Sequence, residues 1–339
     1  MESDRREGRS GVALAAVLVI AAVLAVAGVA AVGIWLTSAA PPPTPVVTVP
    51  AAPPPPAAPA EVPAPPTGDP LSEASPNGPL PVIAADGRAS WQEYARPFDR
   101  NDKRPRIAVI VDGLATSATL TDSAIRDLPG SVTLAFMPYR KQVGQWISLA
   151  RESGHEVLLD LPMEPSDPAH VDLGPNGLRT TLDVGANIGR LEWMMGQASG
   201  YVGMVGYEGG RFVGQRAGLQ PVLEDIRRRG LLYIDNRAAA ENAASAIAAE
   251  IGLPFAATSR QLDADDPGRD AVDRRLKEIE AIARQDGAAI AIGSAEPSVI
   301  ERVAAWAPTL ESRGLVMAPV SAMVAREPSP KPLAAAPAR

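Results

Sequence analysis

A barrel-like or doubly wound α/β domain is the fold class this sequence predicts, on three observations. Short apolar runs rich in β-branched residues alternate with helix-spaced segments seven or eight times between residues 104 and 325. Gly, Pro and Asp bound these runs, as expected for strands buried on both faces of a parallel sheet. Many of the runs end in a polar side chain, at the position where α/β sheets and barrels place their ligands.

The first run sets the pattern. Residues 107–111 read Ile-Ala-Val-Ile-Val and lead directly into Asp112 and Gly113. Asp112 therefore stands at a strand's carboxyl end; its competing role there is to cap the next helix. Helical spacing over 117–128 stops at Pro129-Gly130, and 132–136 forms the second strand. An amphipathic helix over 142–152 precedes a third strand over 155–161, which runs into Pro162-Met163-Glu164-Pro165. The long loop 166–181 follows, and loops of that length in compact domains often carry function. Further helices are expected over 184–198, 215–229, 238–251, 270–285 and 298–313, with Pro308 ending or kinking the last. The intervening strands fall at 201–205, 231–234, 254–257, 288–292 and 315–319.

Outside this region the composition changes. Residues 1–10 are charged, whereas 11–37 carry no charge and are long enough to span a bilayer as one helix. Arg5, Arg6 and Arg9 keep the N-terminus cytoplasmic and place the rest of the chain on the far side. A cleaved signal peptide is the competing reading, with small residues at Ser38-Ala39-Ala40. Residues 38–103 are dominated by Pro and Ala and read as a semi-rigid spacer; 326–339 read as a disordered tail. The chain has no cysteine, so it has neither disulfides nor thiolate metal sites. Its net charge of −7 offers no basic footprint for nucleic acid.

Chemistry is expected where the strand ends converge. Asp112, Asp160 with Glu164, Tyr207 with Glu208, Asp235 with Arg237, Asp263 with Asp265, and Ser294 all follow strands. A closed sheet would gather them into an acidic pocket, although Asp and Ser are also common turn residues. The two histidines, His155 and His170, fall in no metal-binding spacing, and a zinc site built on several imidazoles is excluded. His155 is expected to play a structural role and His170 to be solvated. A carboxylate pocket suits a hard divalent cation such as Mg²⁺, Mn²⁺ or Ca²⁺. Ser117 and Ser294 have no placed histidine to act as base, and no Gly-rich phosphate loop is present.

Several blocks in order resemble the divergent polysaccharide deacetylase family, relatives of the NodB-type carbohydrate esterases. They are Ala108-Val-Ile-Val-Asp112, Val132-Thr-Leu-Ala-Phe-Met-Pro-Tyr139, Gly154-His-Glu-Val-Leu-Leu-Asp-Leu-Pro-Met-Glu-Pro165, Arg211-Phe212, Gly230-Leu-Leu-Tyr-Ile-Asp-Asn-Arg237 and Ala289-Ile-Ala-Ile-Gly293. The resemblance spans about 105–321 and implies a distorted (β/α) barrel in a bacterial envelope protein. With the N-terminal segment it implies a single-pass inner-membrane anchor and a periplasmic domain. The implied partners are envelope polysaccharide or peptidoglycan, the inner membrane and other envelope proteins.

The chain departs from the family pattern at the metal site. Gly113 stands where a second Asp is usual, and Asp160 where a His is usual. Tyr207 takes the place of another His, and a Gly-His-Pro-His-Pro block becomes Gly293-Ser-Ala-Glu-Pro297. The resemblance implies catalytic roles for Asp112 and Asp235, and substrate contacts for Glu164, Tyr207, Arg211 and Arg237. Asp112 and Asp160 are the expected holders of any divalent cation. Two functional readings follow: deacetylation at a metal site rebuilt with carboxylates, or an inactive barrel that binds envelope glycan or protein.

Overall fold

The computed structural model describes residues 70–168 and 171–324. The expected anchor at 11–37, the early spacer, the tail from 326 and His170 lie outside these residues. Among the described residues no helix is long and apolar enough to cross a membrane.

Seven parallel staves build the domain. β3 (Arg106–Leu114) pairs with β10 (Ala288–Ser294) on one side and β4 (Thr133–Phe136) on the other. From β4 the ladder continues through β5 (Val157–Met163), β6 (Gly203–Glu208), β7 (Leu232–Asp235) and β8 (Phe255–Ala257). Two residues after β8, β9 (Arg260–Gln261) pairs with β10 at the other end of the sheet. The connecting amides keep both sides in register: Thr258 N donates to Asp235 O at 2.9 Å, and Ser259 N to Ile290 O at 2.7 Å. One bent segment thus spans from β7 to β10 and curls the sheet into a distorted barrel. A short β11 (Val316–Met317) takes the start of β3, below the point where β4 begins to pair.

Helices coat the outside as the period-3.6 pattern demands: α2 (Ala118–Asp127), α3 (Val143–Glu152), α4 (Val184–Met195), α5 (Arg216–Arg228), α6 (Ala244–Ile251), α7 (Arg269–Asp286) and α8 (Pro297–Trp306). Strand residues alternate accordingly. Ile107, Val109 and Val111 face the helices, while Ala108 and Ile110 face the barrel interior with Leu158, Val205, Ile234 and Ile292.

The lower end of that interior is plugged. Residues 38–103 were expected as spacer, but the folded domain begins near Leu71, which is a correction to that boundary. β1 (Ser72–Ser75) and β2 (Gly78–Pro81) form an antiparallel hairpin turned at Pro76-Asn77, and α1 (Ser90–Glu93) follows. Leu71, Trp91 and Tyr94 join the interior core together with Val320 and Val324. Buried polar groups fasten this plug. Glu156 accepts from Ser321 N at 2.9 Å and Arg96 N at 3.1 Å, and the Arg151 guanidinium lies 4.8 Å over the Tyr94 ring while donating to Gly200 O. Pro79 and Pro81 made this stretch read as spacer, yet Pro is compatible with an edge hairpin.

Of two further helix ends, one follows the sequence pattern and one departs from it. α8 stops at Trp306 and two 3₁₀ turns follow, because Pro308 cannot continue the helical ladder. α6 begins at Ala244 rather than 238, since the intervening residues form a loop organised by Asp235.

Candidate functional site

With the floor closed, polar strand ends are gathered at the opposite mouth. Asp112 lies two residues beyond the inward-facing Ile110, and Asp160 two beyond Leu158, so alternation turns both carboxylates inward. A bulge sharpens the aim of Asp112. Val111 pairs with Leu134 but Leu114 with Phe136, so β3 holds one extra residue across Asp112-Gly113. Gly113 sits at φ 72°, which explains why glycine occupies it. Its amide donates to Asp160 Oδ2 at 2.9 Å and ties the bulge to β5.

Strain clusters at the same end. The non-glycine residues with positive φ among the described residues are Ala115, Glu208, Arg237 and Asp265, at 68°, 55°, 54° and 59°. Ala115, Glu208 and Arg237 lie at or within two residues of the carboxyl end of a stave and Asp265 in the loop after β9, and such strain collects where function over-determines the backbone.

The mouth is electrostatically unusual. Asp160 is fully buried and Asp112 is 9% exposed. Burial, followed by the charges of Asp263 and Glu208, pushes the Asp112 carboxyl up to about 7. Burial and then Asp112 raise Asp160 well above the carboxylate range, against the Gly113 amide. Tyr207 is pushed up to about 12 by burial and then by Asp160 and Asp112. Oδ1 of Asp112, Asp160 and Asp263 are each buried with no hydrogen-bond partner. The second Asp263 oxygen accepts from Ser294 N at 3.0 Å. Buried acceptors are normally satisfied, so three orphans at one mouth point to a missing donor.

Asp112, Asp160 and Tyr207 are thus brought together, and Glu208 and Asp263, both among the strand-end residues named above, join them. Asp263 has the weakest sequence signal of the set, because the two-residue polar β9 before it gives no strand pattern.

The remaining expected site residues take other positions. Glu164 anchors the rim: Oε2 accepts from Thr180 N and Oγ1 at 2.6 Å, and Oε1 from Arg211 Nη1 at 3.1 Å. Burial works against that carboxylate, yet the Thr180 and Arg211 contacts outweigh it and hold its pKa below the usual value. Glu164 and Arg211 therefore clamp the long loop to the segment after β6. Asp235 departs from its expected catalytic place. It follows the inward Ile234, hence points outward, where both oxygens accept from Asn242 Nδ2 at 2.9 Å and Oδ1 from Arg237 N at 3.0 Å. Arg237 is exposed on that loop. His155 is buried at the far end, its ring nitrogens 2.9 and 3.1 Å from Val132 O and Ile125 O, which is the expected structural role.

The mouth does not fit the metal centre that the resemblance implies. Among the described residues no imidazole lies at it, and no three His, Asp or Glu side chains are placed to hold an ion together. The two expected holders, Asp112 and Asp160, suit hard cations by type and are too few to enclose one.

Comparison with known proteins agrees with the architecture. The crystal structure of protein ATU2773 from Agrobacterium tumefaciens C58 is 36% identical, covers 73% of this chain and all of that chain, and superposes with a TM-score of 0.71. An Haemophilus influenzae protein is 24% identical over 196 residues, 58% of this chain and 68% of its own length. The Escherichia coli K12 protein YibQ is likewise 24% identical over 197 residues, covering 58% of this chain and 60% of YibQ. The family model for divergent polysaccharide deacetylases matches residues 109–324, nearly the whole barrel, and this chain belongs to that family.

Proposed function

We propose that this protein is a membrane-anchored, extracytoplasmic barrel that engages a cell-envelope glycan at the carboxyl end of its strands. The observation that carries this reading is the trio of buried, partnerless carboxylate oxygens on Asp112, Asp160 and Asp263 beneath Tyr207. Sugar hydroxyls and acetamido N–H groups are donors of the kind these oxygens lack. Family membership supports a carbohydrate ligand, and the uncharged run at 11–37 supports the anchor. Asp112, which reaches the surface, would accept from the sugar, the fully buried Asp160 would hold Gly113 beneath it, Tyr207 would wall the pocket, and the Glu164–Arg211 clamp would hold the rim.

A second reading is deacetylation assisted by a hard divalent cation at Asp112 and Asp160. Only the partnerless oxygens speak for it, since two carboxylates do not enclose a cation and burial opposes their ionisation. The experiment for both uses full-length protein in detergent with chitooligosaccharides and peptidoglycan fragments, with Mn²⁺, Mg²⁺ or Ca²⁺ added or chelated. Saturable binding that Asp112→Ala weakens supports the glycan site. Cation-dependent acetate release that Asp112→Ala abolishes establishes the second reading. Absence of both binding and release overturns the proposal.

A further inference from the structure

A separate cleft of about 540 Å³ lies beside the mouth, between the β3–α2 loop and α3. Thr116, Arg140, Gln142, Gln145, Trp146 and Leu149 line it. Its polar side chains face solvent: Arg140, Gln142 and Gln145 are all exposed, and Gln142 makes no side-chain cap hydrogen bond to α3. Its floor is apolar. Trp146 is half-buried with one side against the core, and Leu149, one turn on, is 39% exposed. Leu149 is one of only three large hydrophobic side chains that exposed among the described residues.

The cleft and the mouth share a wall. Thr116 follows Asp112 by four residues, so the two lie within about 14 Å even for extended chain. That wall is held rigid: Ala115 N donates to Thr121 Oγ1 at 2.9 Å, and Thr116 Oγ1 to Gly113 O at 2.7 Å. One short oligosaccharide can reach both places.

We propose that this cleft is a subsite for a carboxylate-bearing sugar unit of the same glycan whose neighbouring unit occupies the mouth, a step that rests on the glycan reading above. The Trp146–Leu149 surface suits the C–H face of a pyranose ring. The two glutamine amides offer donors and acceptors for hydroxyl and acetamido groups. Arg140 is the cation of the cleft and would pair with a carboxylate. The first residue of α2, Ala118, and the α3 N-cap, Gln142, also line it, so both helix dipoles add to the positive side. The chain's net charge of −7 gives no general attraction for acids, which makes this local preference specific.

The test is calorimetric titration of full-length protein in detergent with two probes. One is the tetrasaccharide of alternating N-acetylglucosamine and N-acetylmuramic acid, whose lactyl groups carry carboxylates; the other is neutral chitotetraose. The acidic probe should bind about tenfold more tightly, Arg140→Gln should erase that preference, and Gln145→Ala should weaken both probes severalfold. Trp146→Phe should retain binding that Trp146→Ala reduces about tenfold; Arg140 and Gln145 are exposed, so their variants decide the matter if Trp146→Ala unfolds. Equal binding of the two probes, or a preference that survives Arg140→Gln, overturns the subsite. If Asp112→Asn still weakens binding in that case, the mouth reading stands without the cleft. If neither probe binds the wild type, both proposals fall.

Discussion

The Gly113 amide donates to the Asp160 carboxylate across 2.9 Å, fastening the bulge that carries Asp112 to the stave that carries Asp160. Only glycine is at ease at φ 72°, and only an acceptor at 160 can meet that amide. The position where the family pattern usually has a second Asp is therefore backbone-directed in this chain. It serves to place two acids at one mouth.

Replacing Asp160 separates the acceptor from the charge. Asp160→Asn keeps an oxygen for Gly113 and removes the ionisation that burial and Asp112 oppose. At pH 8 it should stabilise the domain by about 1–2 kcal/mol, while Asp160→Ala should destabilise by about 1–3 kcal/mol by orphaning the amide. Urea midpoints of the two variants check this; an Asn variant less stable than wild type at pH 8 sinks the argument.

The acid mouth also predicts how stability depends on pH. The Asp112 carboxyl has a folded value of about 7, above its unfolded value near 3.8. The folded state then binds more protons between these values, so this contribution is complete below about 4 and fades as pH rises through about 7. Asp102 and Glu164 act oppositely: their pKa values are lowered, so their contribution exists above the unfolded value and disappears as pH falls. Stability should peak near pH 5 and decline by roughly 1–3 kcal/mol toward pH 8. Asp112→Asn should flatten that decline, as melting temperature against pH would reveal.

Much of this architecture is legible in the chain because each stave is a bounded apolar run, and Asp112, Asp160 and Tyr207 end three of them. Period-2 alternation is hidden in strands buried on both faces. Without it the sequence cannot say that Asp235 turns outward while Asp160 turns inward. β8 is legible as the run 254–257, but β9 is too short and too polar to reveal that the same segment reaches β10, so Asp263 looked like one turn acid among several. The N-terminal plug was obscured by prolines: Pro76 sits in the hairpin's two-residue turn, and Pro79 and Pro81 in β2.

The Glu164–Arg211 pair should behave as a clamp. Glu164 is buried while the Arg211 side chain is 51% exposed, so the two partners should not cost the same. Glu164→Ala leaves Thr180 N and Oγ1 without their acceptor and should lose about 1–3 kcal/mol. Arg211→Ala, losing a solvent-screened ion pair, should lose less than about 1 kcal/mol. Limited proteolysis should cut the 166–181 loop faster in the Glu164 variant alone. Equal rates in both variants would assign the clamp to the salt bridge instead.

Asp235 offers the sharpest separation between stability and function. Its carboxylate organises the loop to Asn242, and its carbonyl receives Thr258 N at 2.9 Å where the chain crosses toward β10. Asp235→Ala should therefore cost about 1–3 kcal/mol through the lost Asn242 and Arg237 contacts. Asp235→Asn, which retains one acceptor, should recover part of that loss. Neither change alters the mouth, so glycan affinity per folded molecule should stay within twofold of wild type, while Asp112→Asn reduces it. Affinity falling in the Asp235 variants as far as in the Asp112 variant, with folding intact, would return Asp235 to the binding site and overturn its assignment as an outward-facing loop anchor.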